Sequence, residues 1–185
     1  MIGEDKVLAV IPARGQSKRC PRKNLRDFRG KPLIQWTIEA AKEAEFIDRV
    51  VFSTEDMEIK ELALSLGAEV IDRPPWLATD LAANEDVMRH ALTIHPNHNW
   101  LVLLQPTSPL RTPEDINKAI RLAHMTHSTC VSCREDGTRN GAVYVMHSAL
   151  LERGYSFMNV PRVIWYRMPD ERSLDIDLPE HFNHG

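Results

Sequence analysis

Val7-Leu8-Ala9-Val10-Ile11-Pro12, running straight into Ala13-Arg14-Gly15-Gln16-Ser17-Lys18-Arg19-Cys20-Pro21-Arg22-Lys23-Asn24, is the stretch on which the fold turns. Lys6–Pro12 is too short for a helix and apolar enough to be a strand buried on both faces, as in a parallel sheet. The residues after Pro12 form a loop with one glycine among many cations. In open α/β sheets, ligands bind beyond the carboxyl ends of strands. Gly15 permits a tight turn close to a ligand, while Arg14, Lys18, Lys23 and backbone N–H groups can neutralise a phosphate chain. The stretch contains no Gly-Lys-Ser/Thr and no Gly-x-Gly-x-x-Gly, so neither a P-loop nor a dinucleotide fingerprint is present.

Charge sharpens this reading. The 185 residues carry a net charge of −3. Between Arg14 and Lys31, however, eight cations face Asp27 alone, which is +7 in eighteen residues and leaves −10 for the remainder. A nucleic-acid coat is usually basic overall. One basic loop on an acidic body suits a compact anion such as a nucleotide's phosphates, although a merely solvated loop would have the same composition.

Outward from that loop, the pattern alternates strand and helix. Helical spacing places a helix over Pro32–Glu45, another over Glu55–Leu66 ended by Gly67, and a third over Asn84–Ile94. Strands are expected at Arg49–Thr54, Glu69–Asp72, Trp100–Gln105 and Thr129–Cys133. Thr112-Pro113-Glu114-Asp115 has the marks of a helix start: a capping Thr, Pro in the first turn, and acids at the positive end of the dipole. After Cys133 the rhythm changes, with a strand at Gly141–Met146, a short helix at Ser148–Arg153, and strands at Val163–Tyr166 and Ser173–Leu178. Repeated β-α units imply a single three-layer α/β domain over residues 1–185, with a parallel sheet and right-handed crossovers.

Composition excludes other classes. With 43% hydrophobic and 26% charged residues, a packed core is expected rather than disorder. The longest apolar runs are far short of a membrane span, and the first residues lack a signal-peptide pattern. Three cysteines suit a reducing compartment, so a cytoplasmic protein with no membrane partner is expected. Cys130-Val131-Ser132-Cys133 has zinc-ligand spacing but no second pair, and reads as buried strand cysteines. The eight histidines form no ordered set and read as surface residues; Trp36 and Trp100 read as core.

Five motifs in order give a resemblance. They are the Arg14–Asn24 loop; Arg73-Pro74 with Leu77-Ala78-Thr79-Asp80; Leu104-Gln105-Pro106-Thr107-Ser108-Pro109-Leu110-Arg111; Asn140-Gly141-Ala142-Val143-Tyr144; and Asp175-Ile176-Asp177. Together they resemble the N-acylneuraminate cytidylyltransferases, also called CMP-sialic acid synthetases. The resemblance implies a Rossmann-like nucleotidyltransferase sheet, and transfer of CMP from CTP to a 2-keto sugar acid with release of pyrophosphate. It also implies that Arg14, Gly15, Ser17, Lys18, Lys23 and Asn24 hold the nucleotide, with Arg14 and Lys23 serving catalysis. Arg73 would contact the nucleotide, and Asn84 would stand where the family often has a small polar residue facing the base. Gln105 would lie where nucleotide and sugar meet, with Ser108 beside it on the acceptor side.

Asp175 and Asp177 are two apart, so on a strand both carboxylates face one side. Carboxylate and phosphate oxygens are the donors Mg2+ prefers. Such a pair alone is weak evidence, since an exposed strand face explains most of them; the resemblance assigns it to Mg2+.

The chain departs from the family between Cys133 and Asn140. Family members carry tens of residues there, including sugar-acid contacts and a dimer arm, whereas here only Arg134–Arg139 bridges the gap. The usual closing helix after Asp175-Ile176-Asp177 is also expected to be missing. A monomer or a weak, non-standard homodimer is expected, with the acceptor left open among sialic, legionaminic, pseudaminic and Kdo-type acids. A nucleotide-binding relative with little or no turnover is the alternative.

Overall fold

The computed structural model describes residues 1–184, His184 through its backbone alone; of the domain expected over 1–185, Gly185 lies outside the described residues. The chain enters through β1 (Val7–Pro12), a small hairpin of β2 (Asp27–Phe28) and β3 (Lys31–Pro32), and α1 (Leu33–Glu43). Next come β4 (Arg49–Thr54), α2 (Met57–Ser65), β5 (Glu69–Asp72), α3 (Asn84–Ile94), β6 (Trp100–Leu103) and α4 (Pro113–Thr126). The chain then forms β7 (Thr129–Cys133), β8 (Arg139–His147), α5 (Ser148–Glu152) and β9 (Val163–Arg167).

Seven strands make one sheet in the order β5-β4-β1-β6-β8-β7-β9. β1 runs parallel to β4 and β6, β4 to β5, and β7 to β9; β8 alone is antiparallel to both neighbours. The mostly parallel three-layer sandwich expected from the sequence is therefore present, with β8 inserted against the grain. Within β1, Val7, Ala9 and Ile11 face a core built with α1, α2 and α4, while Leu8 and Val10 face one built with α3 and α5. That two-sided burial is why the strand reads as an unbroken apolar run.

Local chemistry explains the helix starts. Asp56 caps α2 by accepting from the Ile59 N–H at 3.0 Å. Thr112 and Asp115 form a reciprocal capping box at α4, with Pro113 at its first turn. The segment 134–138 closes a tight turn: Arg134 N–H donates to the Thr138 carbonyl at 2.7 Å, and Gly137 adopts φ +88°. The polar, glycine-bearing composition fits that geometry. Trp100 is core, and Trp36 packs edge-on against Phe28.

Two expectations need correction. Ser173–Leu178 forms no strand; it crosses the sheet's end as an irregular segment between 3-10 turns. Ile176 N–H donates to the Thr107 carbonyl at 2.7 Å, and Ile176 is buried with Phe28 and Leu33. Its alternation records one side of a strap packed on the domain rather than ladder pairing. The histidines are also not uniformly superficial: His147 stacks edge-on against Trp100, and the His95 side chain is 10% exposed.

Asp115 ties the strap's approach to the sheet. Its buried carboxylate accepts from the Tyr166 hydroxyl of β9 at 2.7 Å and from Arg172 at 2.9 and 3.0 Å. Burial would raise its pKa, but these hydrogen bonds outweigh burial and hold the carboxyl below its ordinary range. Its stabilisation is thus complete above the unfolded value near pH 4 and fades as pH falls through the lower folded value. Asp115→Asn is expected to cost about 3–5 kcal/mol at pH 7, the scale for breaking a buried ion pair. The gap from wild type should close in acid. Denaturant titrations at pH 7 and pH 2.5 check this, and an equal gap at both values would contradict it.

Candidate active site

At the carboxyl end of β1 the chain leaves Pro12 and folds back over the sheet. Ala13 N–H donates to the Ser53 carbonyl at 3.0 Å, Gly15 N–H to Glu55 Oε1 at 2.8 Å, and Asn24 Nδ2 to the Arg14 carbonyl at 2.9 Å. Arg22, in the left-handed region at φ 56°, ion-pairs with Asp56 at 2.7 Å and with Glu58. A Cβ on Gly15 would collide with the Asp56 side chain, so the turn requires glycine. The loop is thereby fixed by acids at the start of α2.

Fixed this way, the loop borders a cavity of about 520 Å³ that is lined also by the ends of β6 and the C-terminal strap. Four of the eight cations between residues 14 and 31 reach it: Arg14, Lys18, Arg19 and Lys23. The other four serve elsewhere; Arg26, for example, lies over the Phe182 ring, and Lys31 pairs with Glu39. Ser17, Asn24, Asn84, Gln105, Asp175 and Asp177 complete the candidates that line the cavity. Arg73 is buried behind it, donating to the Ser53 hydroxyl at 3.2 Å and carbonyl at 2.6 Å. It lines an adjoining hollow of about 220 Å³ that shares Pro12, Arg14, Asp80 and Asn84 with the main cavity. Burial lowers the Arg73 pKa to about 10, which leaves it charged at neutral pH.

Ser108 does not reach the cavity. It is fully buried, and its hydroxyl donates to the Asn140 carbonyl at 3.1 Å, so its place is structural rather than at the acceptor. Gly15 likewise faces a neighbouring surface hollow with Arg22 and Asp56. Thr107, Arg19 and Asp80 also line the cavity, and nothing in the sequence singles them out as site residues. Asp80 and Thr107 lie within the Leu77–Asp80 and Leu104–Arg111 motifs, and Arg19 lies in the basic loop.

The two strap carboxylates differ. Burial raises the Asp175 pKa, and the Asp177 charge adds to that. Burial would raise Asp177 too, but its Lys23 hydrogen bond and the Lys23 and Arg19 charges bring it below its ordinary range. Lys23 Nζ lies 3.0 Å and Arg19 Nη2 2.9 Å from the Asp177 carboxylate. On the opposite wall, Arg14 and Lys18 grip Asp80 at 2.7 and 2.5 Å, the Lys18 hydrogen bond foremost in lowering its pKa.

Gln105 is held from behind. The fully buried Arg111 donates to the Ala142 carbonyl at 2.8 Å, to the Thr37 hydroxyl at 2.8 Å and to the Gln105 carbonyl. All three cysteines are buried and free; Cys130 and Cys133 lie in β7, where burial pushes Cys130 up to about 12, as befits a structural strand residue.

A family model described as cytidylyltransferase matches residues 8–152, a span running from β1 to α5. The chain belongs to that family. An N-acylneuraminate cytidylyltransferase from Escherichia coli is 40% identical over 63% of this chain and 28% of its own length. A CMP-N,N'-diacetyllegionaminic acid synthase from Legionella pneumophila is 39% identical over 94% of this chain and 92% of its own length. An N-acylneuraminate cytidylyltransferase from Streptococcus agalactiae is 30% identical over 97% of this chain but 52% of its own length. Apart from the Legionella relative, then, this cytidylyltransferase-family chain spans about half or less of the relatives named here. The Legionella alignment runs over 217 positions, more than the 185 residues present here, so tens of positions in that relative have no counterpart.

Among solved structures, a CMP:2-keto-3-deoxy-manno-octonic acid synthetase complexed with CTP superposes with a TM-score of 0.79 at 17% identity. That superposition covers 97% of this chain and 96% of the other, and it shows a shared fold. A cytidylyltransferase from Leptospira borgpetersenii gives 0.71 at 21% identity over 97% of this chain and 84% of its own.

Gly141 supplies a test of how Gln105 is placed. It sits at φ +70°, and a Cβ there would stand 2.5 Å from Gln105 Oε1. Gly141→Ala is expected to cost about 1–2 kcal/mol from the left-handed backbone alone, and to turn the Gln105 side chain from its place. Wild-type stability together with an unmoved Gln105 in a crystal structure of the variant would contradict this.

Proposed function

We propose that this chain transfers CMP from CTP to the anomeric hydroxyl of a sialic-acid-like 2-keto sugar acid, releasing pyrophosphate. One observation carries the reading: four loop cations and two strap carboxylates converge on one cavity at the carboxyl edge of a parallel sheet. Phosphoryl-type transfer needs positioning and charge neutralisation more than covalent help. Arg14, Lys18 and Lys23 neutralise the triphosphate, Asn24 and Ser17 fix the loop around it, and Arg73 and Asn84 border the nucleoside. Gln105 stands between nucleotide and acceptor. The acceptor hydroxyl oxygen bonds to the α-phosphorus as the bond from that phosphorus to the bridging oxygen breaks. Pyrophosphate leaves with the electron pair, and the hydroxyl proton goes to water.

The strap fits a divalent cation. Asp175 Oδ1 is buried and has no hydrogen-bond partner among the described residues, and Asp177 lies beside it on the same cavity. A related-fold protein from Mycobacterium tuberculosis, with a TM-score of 0.69, was solved with manganese. In this reading Asp175 and Asp177 hold Mg2+. When bound, that ion supplies positive charge to the phosphates.

The tight turn at 134–138 and the shorter alignment support absence of the family's dimer arm, and hence a monomer or weak dimer with an open acceptor site. Open sites exclude water poorly, so slow turnover is expected. No helix among the described residues is long and apolar enough to cross a membrane. A cytoplasmic enzyme without nucleic-acid or membrane partners completes the proposal. The acceptor is one of the acid classes that the relatives' names specify.

Lys23→Ala and Arg14→Ala are expected to weaken CTP affinity by about 1.5–3 kcal/mol, the scale of charge-assisted hydrogen bonds. Calorimetry showing unchanged affinity in both would remove the assignment. Asp175→Asn and Asp177→Asn should abolish Mg2+-dependent pyrophosphate release from CTP and an acid panel while shifting the melting temperature little. Full release in either variant would sink the metal role. Tight CTP binding with no release on any acid would favour the non-catalytic alternative.

A further inference from the structure

Asp80, Asp175 and Asp177 counter part of the charge of the four cations in the cavity, and the two sets of ion pairs lie on different segments. Asp177, which holds Lys23 and Arg19, has Asp175 beside it on the strap and belongs to the pair read above as the Mg2+ site. Asp80 holds Arg14 and Lys18 from the segment after β5, apart from that pair. It lies on the partition between the 520 Å³ cavity and the 220 Å³ hollow, lining both together with Arg14. The Arg14–Asp80 contact therefore lies on the boundary between the cavity and the hollow beside Arg73.

Few polar contacts among the described residues tie the segment that carries Asp80 to the body of the domain. Among the described residues, hydrogen bonds within 74–82 stay inside the segment: Leu77 N–H to the Pro74 carbonyl, Ala78 N–H to Pro75, Ala82 N–H to Thr79, and the Thr79 hydroxyl to Trp76. Leu77 packs against the core, but Trp76 and Leu81 are 71% and 96% exposed. Apart from that leucine, polar attachment to the body is through the Asp80 carboxylate.

We propose that Asp80 is a charge gate: it stands in for a phosphate on Arg14 and Lys18, and yields only to a ligand bringing enough negative charge to replace it. The inference rests on the nucleotide reading above and adds a residue that sets which ligands enter. Any anion that must take both cations bears the same cost of displacing Asp80. Removing the charge therefore tightens CTP and inorganic pyrophosphate by a common factor.

The test is calorimetry of CTP–Mg2+ and of pyrophosphate–Mg2+ against wild type, Asp80→Asn and Glu69→Gln. Glu69 is a carboxylate on Arg49 at the start of β5, outside the cavity, and controls for net charge alone. The expected result is about three- to tenfold tighter binding of both ligands to Asp80→Asn, the range for one or two exposed ion pairs, with Glu69→Gln near wild type. Weaker or unchanged CTP binding to Asp80→Asn overturns the gate while leaving the nucleotide reading intact. Equal tightening in Glu69→Gln overturns it in favour of a general field effect. If only pyrophosphate binds and Asp80→Asn tightens it, the gate stands and the nucleotide reading falls; if neither ligand binds any of the three proteins, both fall.

Discussion

The Asp115 carboxylate is 1% exposed, and around it gather the Thr112 N–H and hydroxyl at 2.9 Å each, the Tyr166 hydroxyl, and two nitrogens of Arg172. Burying an ionised carboxylate costs several kcal/mol unless its lone pairs are met. Here they are met by the start of α4, the edge strand β9, and the turn that begins the strap. Because no one element supplies enough donors, the carboxylate is satisfied only when all three are in place. Asn140 extends the constraint: its side chain accepts from Ser132 at 2.6 Å and donates to Ser173 at 3.0 Å, joining β7 and β8 to the strap. Asp175 and Asp177 reach the cavity as a consequence of these two polar knots rather than through strand pairing.

That constraint also explains why charge can be concentrated at the site. A loop carrying Arg14, Lys18, Arg19, Arg22 and Lys23 would repel itself if nothing opposed it. Asp56 and Glu58 answer Arg22 at the base, Asp80 answers Arg14 and Lys18 on one wall, and Asp177 answers Arg19 and Lys23 on the other. The acidic remainder of the chain is in part this set of counter-charges, brought by α2, by the segment after β5, and by the strap. A basic loop pre-shaped by internal acids holds its cations apart at fixed places, so a phosphate chain meets positions rather than a flexible cluster.

Much of this was legible in the sequence, for identifiable reasons. A parallel strand buried on both faces announces itself as an unbroken apolar run, as Val7–Pro12 of β1 does. Thr112 and Asp115 revealed α4 because capping chemistry is local. Two features escaped because they are non-local. The direction of β8 depends on which neighbours it meets, and nothing within Arg139–His147 encodes an antiparallel partner on each side. The strap showed strand-like alternation because Leu174 and Ile176 do face the domain while Asp175 and Asp177 face the cavity, yet period two records only alternate burial. Ser108 misled in a similar way: a motif serine beside Gln105 suggests a ligand contact, and only the fold shows its hydroxyl spent on the Asn140 carbonyl.

The sheet's two edges bear on how the domain meets other copies of itself. An exposed strand edge is a template for pairing, and proteins blunt it with short length, charge and proline. β5 is four residues long, carries Glu69 paired to Arg49 and Asp72 paired to Lys60, and runs out through Arg73 into Pro74 and Pro75. β9 is five residues, comes after Pro161-Arg162, and ends at Arg167 before Pro169. Its one exposed aromatic, Trp165, lies under the Arg139 guanidinium from the neighbouring hairpin at 5.4 Å. The first β8 residue thus reaches across β7 and covers an exposed ring of the edge strand with a cation. Short length, paired charges and flanking prolines at both edges are the features that oppose continuation of the sheet into a partner.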